Sequence, residues 1–124
     1  MSYPETLDHM LAAWNETDPA QVRGHLETAL APDVHFVDPP NDITGIDAFE
    51  AMVHRVHDQV PGAVYSRASD VDSHHGLHRY HWAIHLDGEL LLAGFDVTET
   101  NEAGQVSRVL GFFGPLEANV SADR

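Results

Sequence analysis

The stretch LHRYHWAIHLDGELLLAGFDVTET, residues 77–100, decides the fold. Its first ten residues alternate: Tyr80, Trp82, Ile84 and Leu86 share one face, and Arg79, His81, Ala83 and His85 share the other. A half-buried strand requires that period of two. Asp87-Gly88 suits the positive-φ positions of a tight hairpin turn. Residues 90–100 then return as an antiparallel partner, with Leu90, Leu92, Gly94 and Asp96 on one face. The apolar face of the hairpin must meet other elements; the mixed face suits water or a second subunit.

Outward from this hairpin, two more strands are expected at about 63–71 and 106–113, the second carrying Val109, Gly111 and Phe113 on one face. The first half of the chain reads as helical. Pro4 opens a helix with Leu7, Met10, Leu11 and Trp14 at helical spacing. Asp18-Pro19 caps a second helix, whose stripe is Val22, Leu26 and Leu30, and Ala31-Pro32-Asp33 breaks it. A short strand, 34–38, places Val34, Phe36 and Asp38 on one face and stops at Pro39-Pro40. Residues 41–45 read as a turn, and a third helix runs from about Asp47 to Gln59. The expectation is a single α+β domain over 1–124, with an ordered core at about 4–116 and a frayed tail at 118–124.

Composition removes several chemistries. The 124 residues include no Cys, so disulfides, thiolate zinc sites and cysteine nucleophiles are excluded. All six basic residues are Arg; without Lys there is no Schiff-base aldolase chemistry and no phosphate-loop lysine. The formal charge of −14 repels phosphate backbones and anionic membranes, so neither nucleic acid nor a membrane is an expected partner. Protonating all ten His would bring that charge to −4. With no secretory pattern at residues 1–5 and no long apolar run, the chain reads as soluble and cytoplasmic.

Asp38 and Asp96 are the candidate chemical groups, because each shares a strand face with apolar neighbours. A desolvated carboxyl holds its proton to higher pH, and two carboxyls in one concavity drive their pKa values apart into a base and a neutral acid. The bland alternatives are an Asx turn into Pro39-Pro40 for Asp38 and an ion pair with Arg79 or Arg108 for Asp96. Such a pair needs no metal and no cofactor. The histidines give no converging ligand set: His81 and His85 share a face but stand about 13 Å apart in a strand. His54 and His57 offer two ligands without an evident third.

The order helix–helix–strand–helix–sheet, the Val37-Asp38-Pro39 strand end, Gly45 before the third helix, and the motifs Gly94-Phe95-Asp96-Val97-Thr98-Glu99, Gly104-Gln105-Val106 and Gly111-Phe112-Phe113-Gly114 carry a resemblance. They resemble the nuclear transport factor 2-like (cystatin-like) superfamily, and within it the SnoaL-like polyketide cyclases and ketosteroid isomerases. The resemblance spans about residues 4–116. It implies a cone: a curved, mainly antiparallel sheet wrapped around three helices and a deep apolar pocket. It also implies a homodimer through the outer sheet face, here Arg79, His81 and His85. Asp38 falls at the isomerases' proton-shuttling base, and Asp96 at the protonated aspartate that holds the developing enolate. Met10, Trp14, Phe36, Met52, Tyr80, Trp82, Ile84, Val109 and Phe113, together with Gly111, would line the pocket. The isomerase tyrosines are missing: Met10 stands at the oxyanion tyrosine and Val53 at its supporting tyrosine, and neither side chain donates a hydrogen bond. Such a loss costs ~3 kcal/mol of transition-state stabilisation, unless Tyr80 or the Trp14 indole substitutes.

Two functions follow. One is a cofactor-independent isomerase or cyclase acting on a small apolar carbonyl compound by proton abstraction, aldol-type cyclisation or dehydration. The other is a small-molecule-binding or scaffold protein of the same fold, without chemistry.

Overall fold

The computed structural model describes residues 4–114 and 116. Three helices, α1 (Glu5–Asn15), α2 (Pro19–Ala29) and α3 (Ile46–Gln59), accompany seven strands. The strands are β1 (Leu30–Asp38), β2 (Asn41–Thr44), β3 (Val64–Arg67), β4 (Asp72–His74), β5 (Leu77–Leu86), β6 (Glu89–Thr100) and β7 (Val106–Phe113). The sheet order is β2-β1-β7-β6-β5-β3, with β4 also paired to β5. Among the described residues the β1–β7 pairing is parallel and the other pairings are antiparallel.

Local chemistry accounts for the helix ends. The Asp18 carboxylate accepts from the Ala20 amide at 3.0 Å, ahead of Pro19 in the first turn. Glu5 and Asp8 lie in the first turn of α1, where negative charge is favoured. Gly45, at φ 93°, turns the chain into α3. The expected hairpin is present over its full length, with Asp87 and Gly88 at φ 53° and 81°.

Three expectations are corrected. Leu30 is extended rather than helical, and β1 begins there, pairing with Val106 before a register break that accommodates Pro32. Residues 41–44 are a strand paired to β1 rather than a turn. The run 63–71 divides: β3 ends at Arg67, and the polar Asp72–His74 forms β4 against the same neighbour. These short segments are held by ladder hydrogen bonds, which leave no hydrophobic period in the sequence. The expected tail at 118–124 lies outside the described residues.

The closed end of the cone is a packed core. Val22, Leu26, Leu30, Val34, Phe49, Met52, Val53, Val106 and Val109 are all at most 1% exposed. Phe49 meets the Phe36 ring edge-on at 5.2 Å and the Trp14 ring at 6.2 Å. Toward the other end a cavity opens, lined by residues of α1, α3 and the inner face of the sheet. No helix among the described residues is long and apolar enough to cross a membrane.

Candidate active site

The cavity has a volume of about 380 Å³. Leu7, Met10, Leu11 and Trp14 of α1 and Val56 of α3 form one wall. Opposite them lie Tyr65 and Arg67 of β3, Tyr80, Trp82 and Ile84 of β5, and Leu92 and Asp96 of β6. Phe36 and Asp38 of β1 and Gly111 and Phe113 of β7 complete it.

Strand register brings the two acids together. Tyr80, Asp96 and Gly111 are paired across three strands, and Phe36 pairs with Val109, which sets Asp38 beside Gly111. Gly111 is the gap between the carboxyls. A Cβ built there would lie 3.0 Å from Asp96 Oδ1 and 3.2 Å from Asp38 Cβ.

The two acids have different surroundings. Asp96 Oδ1 accepts from the Trp82 indole Nε1 at 2.9 Å. Gly94 makes that bond possible, because a Cβ on it would fall 2.0 Å from Trp82 Cζ2. Burial pushes Asp96 up to about 7; the Trp82 and Tyr80 hydrogen bonds oppose the rise, and the charge of Asp38 adds to it. Asp38 is also raised by burial, but it accepts from the Asn41 side-chain amide at 2.8 Å and from the Asn41 backbone, both of which favour the carboxylate. The Tyr80 hydroxyl lies 3.0 Å from Thr98 Oγ1 and is held protonated, chiefly by burial.

The ion pair with Arg79 offered for Asp96 does not match the geometry, whereas the Asp38 carboxylate does cap the Pro39-Pro40 turn by accepting from the Asn41 backbone. Arg79 pairs with Asp72 at 2.8 Å. Asp38 is engaged by Asn41 from the paired strand β2. The histidines are engaged elsewhere: His57 meets the Trp14 carbonyl at 2.7 Å, His54 lies 3.2 Å from Glu50, and His78 sits between Ser73 and Thr100.

Of the residues expected to line the pocket, Met10, Trp14, Phe36, Tyr80, Trp82, Ile84 and Phe113 do so, as do Asp38, Asp96 and Gly111. Met52 and Val109 do not: both point inward but lie deeper in the cone, where the helices close on the sheet. Ala83, expected on the outer face, is buried and borders the cavity beside the irregular pairing at Ile84 and His85.

Tyr65 and Arg67 were not anticipated. The Tyr65 ring stacks on Trp14 at 5.3 Å, and burial pushes its hydroxyl up to about 12. The Arg67 guanidinium lies 5.5 Å from the Tyr80 ring centroid and donates to Asp8 Oδ1 at 3.0 Å. Their alternation with Ser66 was the available signal, but only pairing with Ile84 and Trp82 reveals the face they occupy.

The Asp96 environment has a consequence for stability. An unfolded aspartic acid ionises near pH 3.9, whereas folded Asp96 keeps its proton to about 7. Between those values the folded state binds the extra proton, so this group's contribution to stability falls as pH rises from about 4 to about 7 and is level beyond. The expected result is that Asp96→Asn gains stability on wild type across that window, by up to a few kcal/mol. Urea unfolding of both proteins at pH 4, 5.5 and 7.5 measures it. A constant difference would show that Asp96 ionises alike in both states.

A cone of curved sheet over three helices, with an apolar cavity at its open end, defines a nuclear transport factor 2-like protein. The chain is 30% identical to a SnoaL-like family protein from Agrobacterium tumefaciens strain C58, over 89% of this chain and 95% of the other, with a TM-score of 0.84. It belongs to the SnoaL-like family. A nuclear transport factor 2-like protein from Exiguobacterium sp. 255-15 superposes with a TM-score of 0.72 at 21% identity, over 90% and 99% of the two chains. A protein of cystatin-like fold from Methylobium petroleophilum PM1 gives 0.72 at 14% identity, over 93% and 77%. No family model matches the sequence, and no curated protein matches it.

Proposed function

We propose that the chain is a cofactor-independent isomerase or cyclase that moves a proton on a small apolar carbonyl compound. The observation that carries this reading is the pair of carboxyls on either side of Gly111, one hydrogen-bonded as a base and the other holding its proton. Asp38, held as the carboxylate by the Asn41 hydrogen bonds, takes the proton from the carbon beside the carbonyl. Asp96, neutral below about pH 7, donates a hydrogen bond to the carbonyl oxygen as negative charge develops there. The apolar walls exclude water and strengthen both interactions. The Agrobacterium relative, described as a candidate isomerase, supports the same kind of activity.

Asp96 acts without the tyrosine that the isomerases place on the first helix. Met10 occupies that place and faces the cavity, and Val53 is buried in the core. That observation favours the second reading, a binding protein without chemistry.

Solvent-deuterium exchange into a panel of apolar ketones, followed by proton NMR at pH 6, separates the two. Catalysed exchange that is absent from the Asp38→Asn, Asp96→Asn double variant supports the enzyme. No exchange, with ketone affinity equal in wild type and the double variant, supports the binding protein.

We also propose a homodimer through the outer sheet face. The half-exposed row His81, Phe95 and Phe112 crosses that face, with the first two rings 5.2 Å apart and Phe112 58% exposed.

A further inference from the structure

The Asp38 carboxylate is approached from outside the cavity by a chain of two hydrogen bonds. Arg55, exposed on α3, donates from Nη2 to Asn41 Oδ1 at 3.0 Å. Asn41 Nδ2 donates in turn to Asp38 Oδ1 at 2.8 Å. A guanidinium can only donate, so whichever end of the Asn41 amide faces Arg55 must be its oxygen. The NH2 end is thereby directed to Asp38. An NH2 group cannot accept, so Asp38 Oδ1 is held as an acceptor, which leaves Oδ2 the better placed oxygen to carry a proton.

We propose that Arg55 is a positioning residue for Asp38, acting through Asn41: it locks the amide so that Oδ1 is held as an acceptor and Oδ2 is the oxygen that exchanges a proton. The inference extends the acid–base reading of the cavity and rests on it for its functional meaning. The geometry itself does not depend on any substrate. Each link is made by a different element: Asp38 ends β1, Asn41 begins the paired strand β2, and Arg55 lies on the third turn of α3. The Asp38 and Asn41 positions are fixed by their pairing as the last register partners of the β1–β2 hairpin, around Pro39-Pro40. Without Arg55 the Asn41 amide is free to present its oxygen to Asp38, and that arrangement requires a proton on the carboxyl. The other charged group that acts on Asp38 is Asp96 of β6, across Gly111; β7 contributes no side chain there.

The test is a double-mutant cycle read by carboxyl-carbon NMR titration of Asp38 in the full chain. Arg55→Met is expected to raise the Asp38 midpoint by about half to one pH unit, the worth of one charge-favouring hydrogen bond. In an Asn41→Leu background the same change is expected to move it by no more than about 0.2 unit, the remaining effect of a distant surface charge. Arg55→Lys, which keeps a single donor, is expected to restore most of the wild-type midpoint. Equal shifts in both backgrounds would mean that Arg55 acts by charge alone and would overturn the proposal, as would no shift in either. An Asp38 midpoint that obeys the cycle in a protein whose Asp38→Asn variant retains full exchange activity would leave the relay standing and remove the base assignment instead.

Discussion

Replacing Asp38 with Asn is expected to lower the rate of catalysed deuterium exchange by about 10²–10⁴-fold, the usual contribution of a positioned general base. Asn has the size of Asp and keeps an oxygen for the Asn41 amide, whose hydrogen bond is 2.8 Å long in the wild type. What it loses is the basic lone pair. The half-buried carboxylate also carries a desolvation cost that Asn does not, so thermal stability is expected to be retained or slightly increased. The kinetic loss should therefore appear without unfolding, measured by NMR exchange rates beside a melting curve of the same sample. Asp96→Asn provides the contrast. Its amide still donates a hydrogen bond, so a smaller loss is expected, and the fall in rate as wild-type Asp96 ionises near pH 7 should disappear. A full rate in Asp38→Asn would mean that Asp38 is not the base.

The second large effect is expected at a residue with no side chain. Gly94 faces Trp82 in the β5–β6 register. A Cβ there would lie 2.0 Å and 2.5 Å from two indole carbons and 2.4 Å from the Phe112 carbonyl oxygen. The indole can leave by changing rotamer, but the carbonyl belongs to a strand and cannot. Gly94→Ala is accordingly expected to destabilise the fold by about 1–3 kcal/mol, the usual range for overpacking. It also expels the Trp82 N–H from Asp96 Oδ1, so the ionised form of Asp96 loses a donor and its midpoint should rise further. Urea unfolding gives the first quantity, and the Trp82 indole N–H chemical shift reports the second. Unchanged stability with an unmoved indole signal would mean that the sheet opens between β6 and its neighbours more readily than these contacts allow.

The hairpin 77–100 was legible because alternation and the Asp87-Gly88 turn point to the same structure. That same alternation places Asp38, Asp96 and Gly111 on the inner face. Depth along the cone was not legible. Met52 and Val109 point inward like Met10 and Phe113, but facing inward does not distinguish a packed end from an open one. Nor does a polar strand of three or four residues announce itself: β2 and β4 exist because β1 and β5 offer them hydrogen bonds. Tyr65 and Arg67 depend on how β3 is registered against β5, which a run expected to extend over 63–71 leaves open. Gly94 and Gly111 were visible as glycines; their meaning lies in the groups opposite, an indole and two carboxyls. Arg55 could not be found from spacing, since it reaches Asp38 only through a residue expected in a turn.

In the proposed mechanism the two acids of the cavity divide into a base and a proton-holding partner. Carboxyl-carbon NMR titration from pH 2.5 to 9, with Asp38→Asn and Asp96→Asn assigning the signals, measures that division. The expected result is an Asp96 midpoint near 7 and an Asp38 midpoint that lies above the ordinary aspartate value but below that of Asp96. Asp38→Asn is also expected to lower the Asp96 midpoint, because the carboxylate charge across Gly111 is gone. Two independent midpoints near 3.9, each indifferent to the other substitution, would contradict that division.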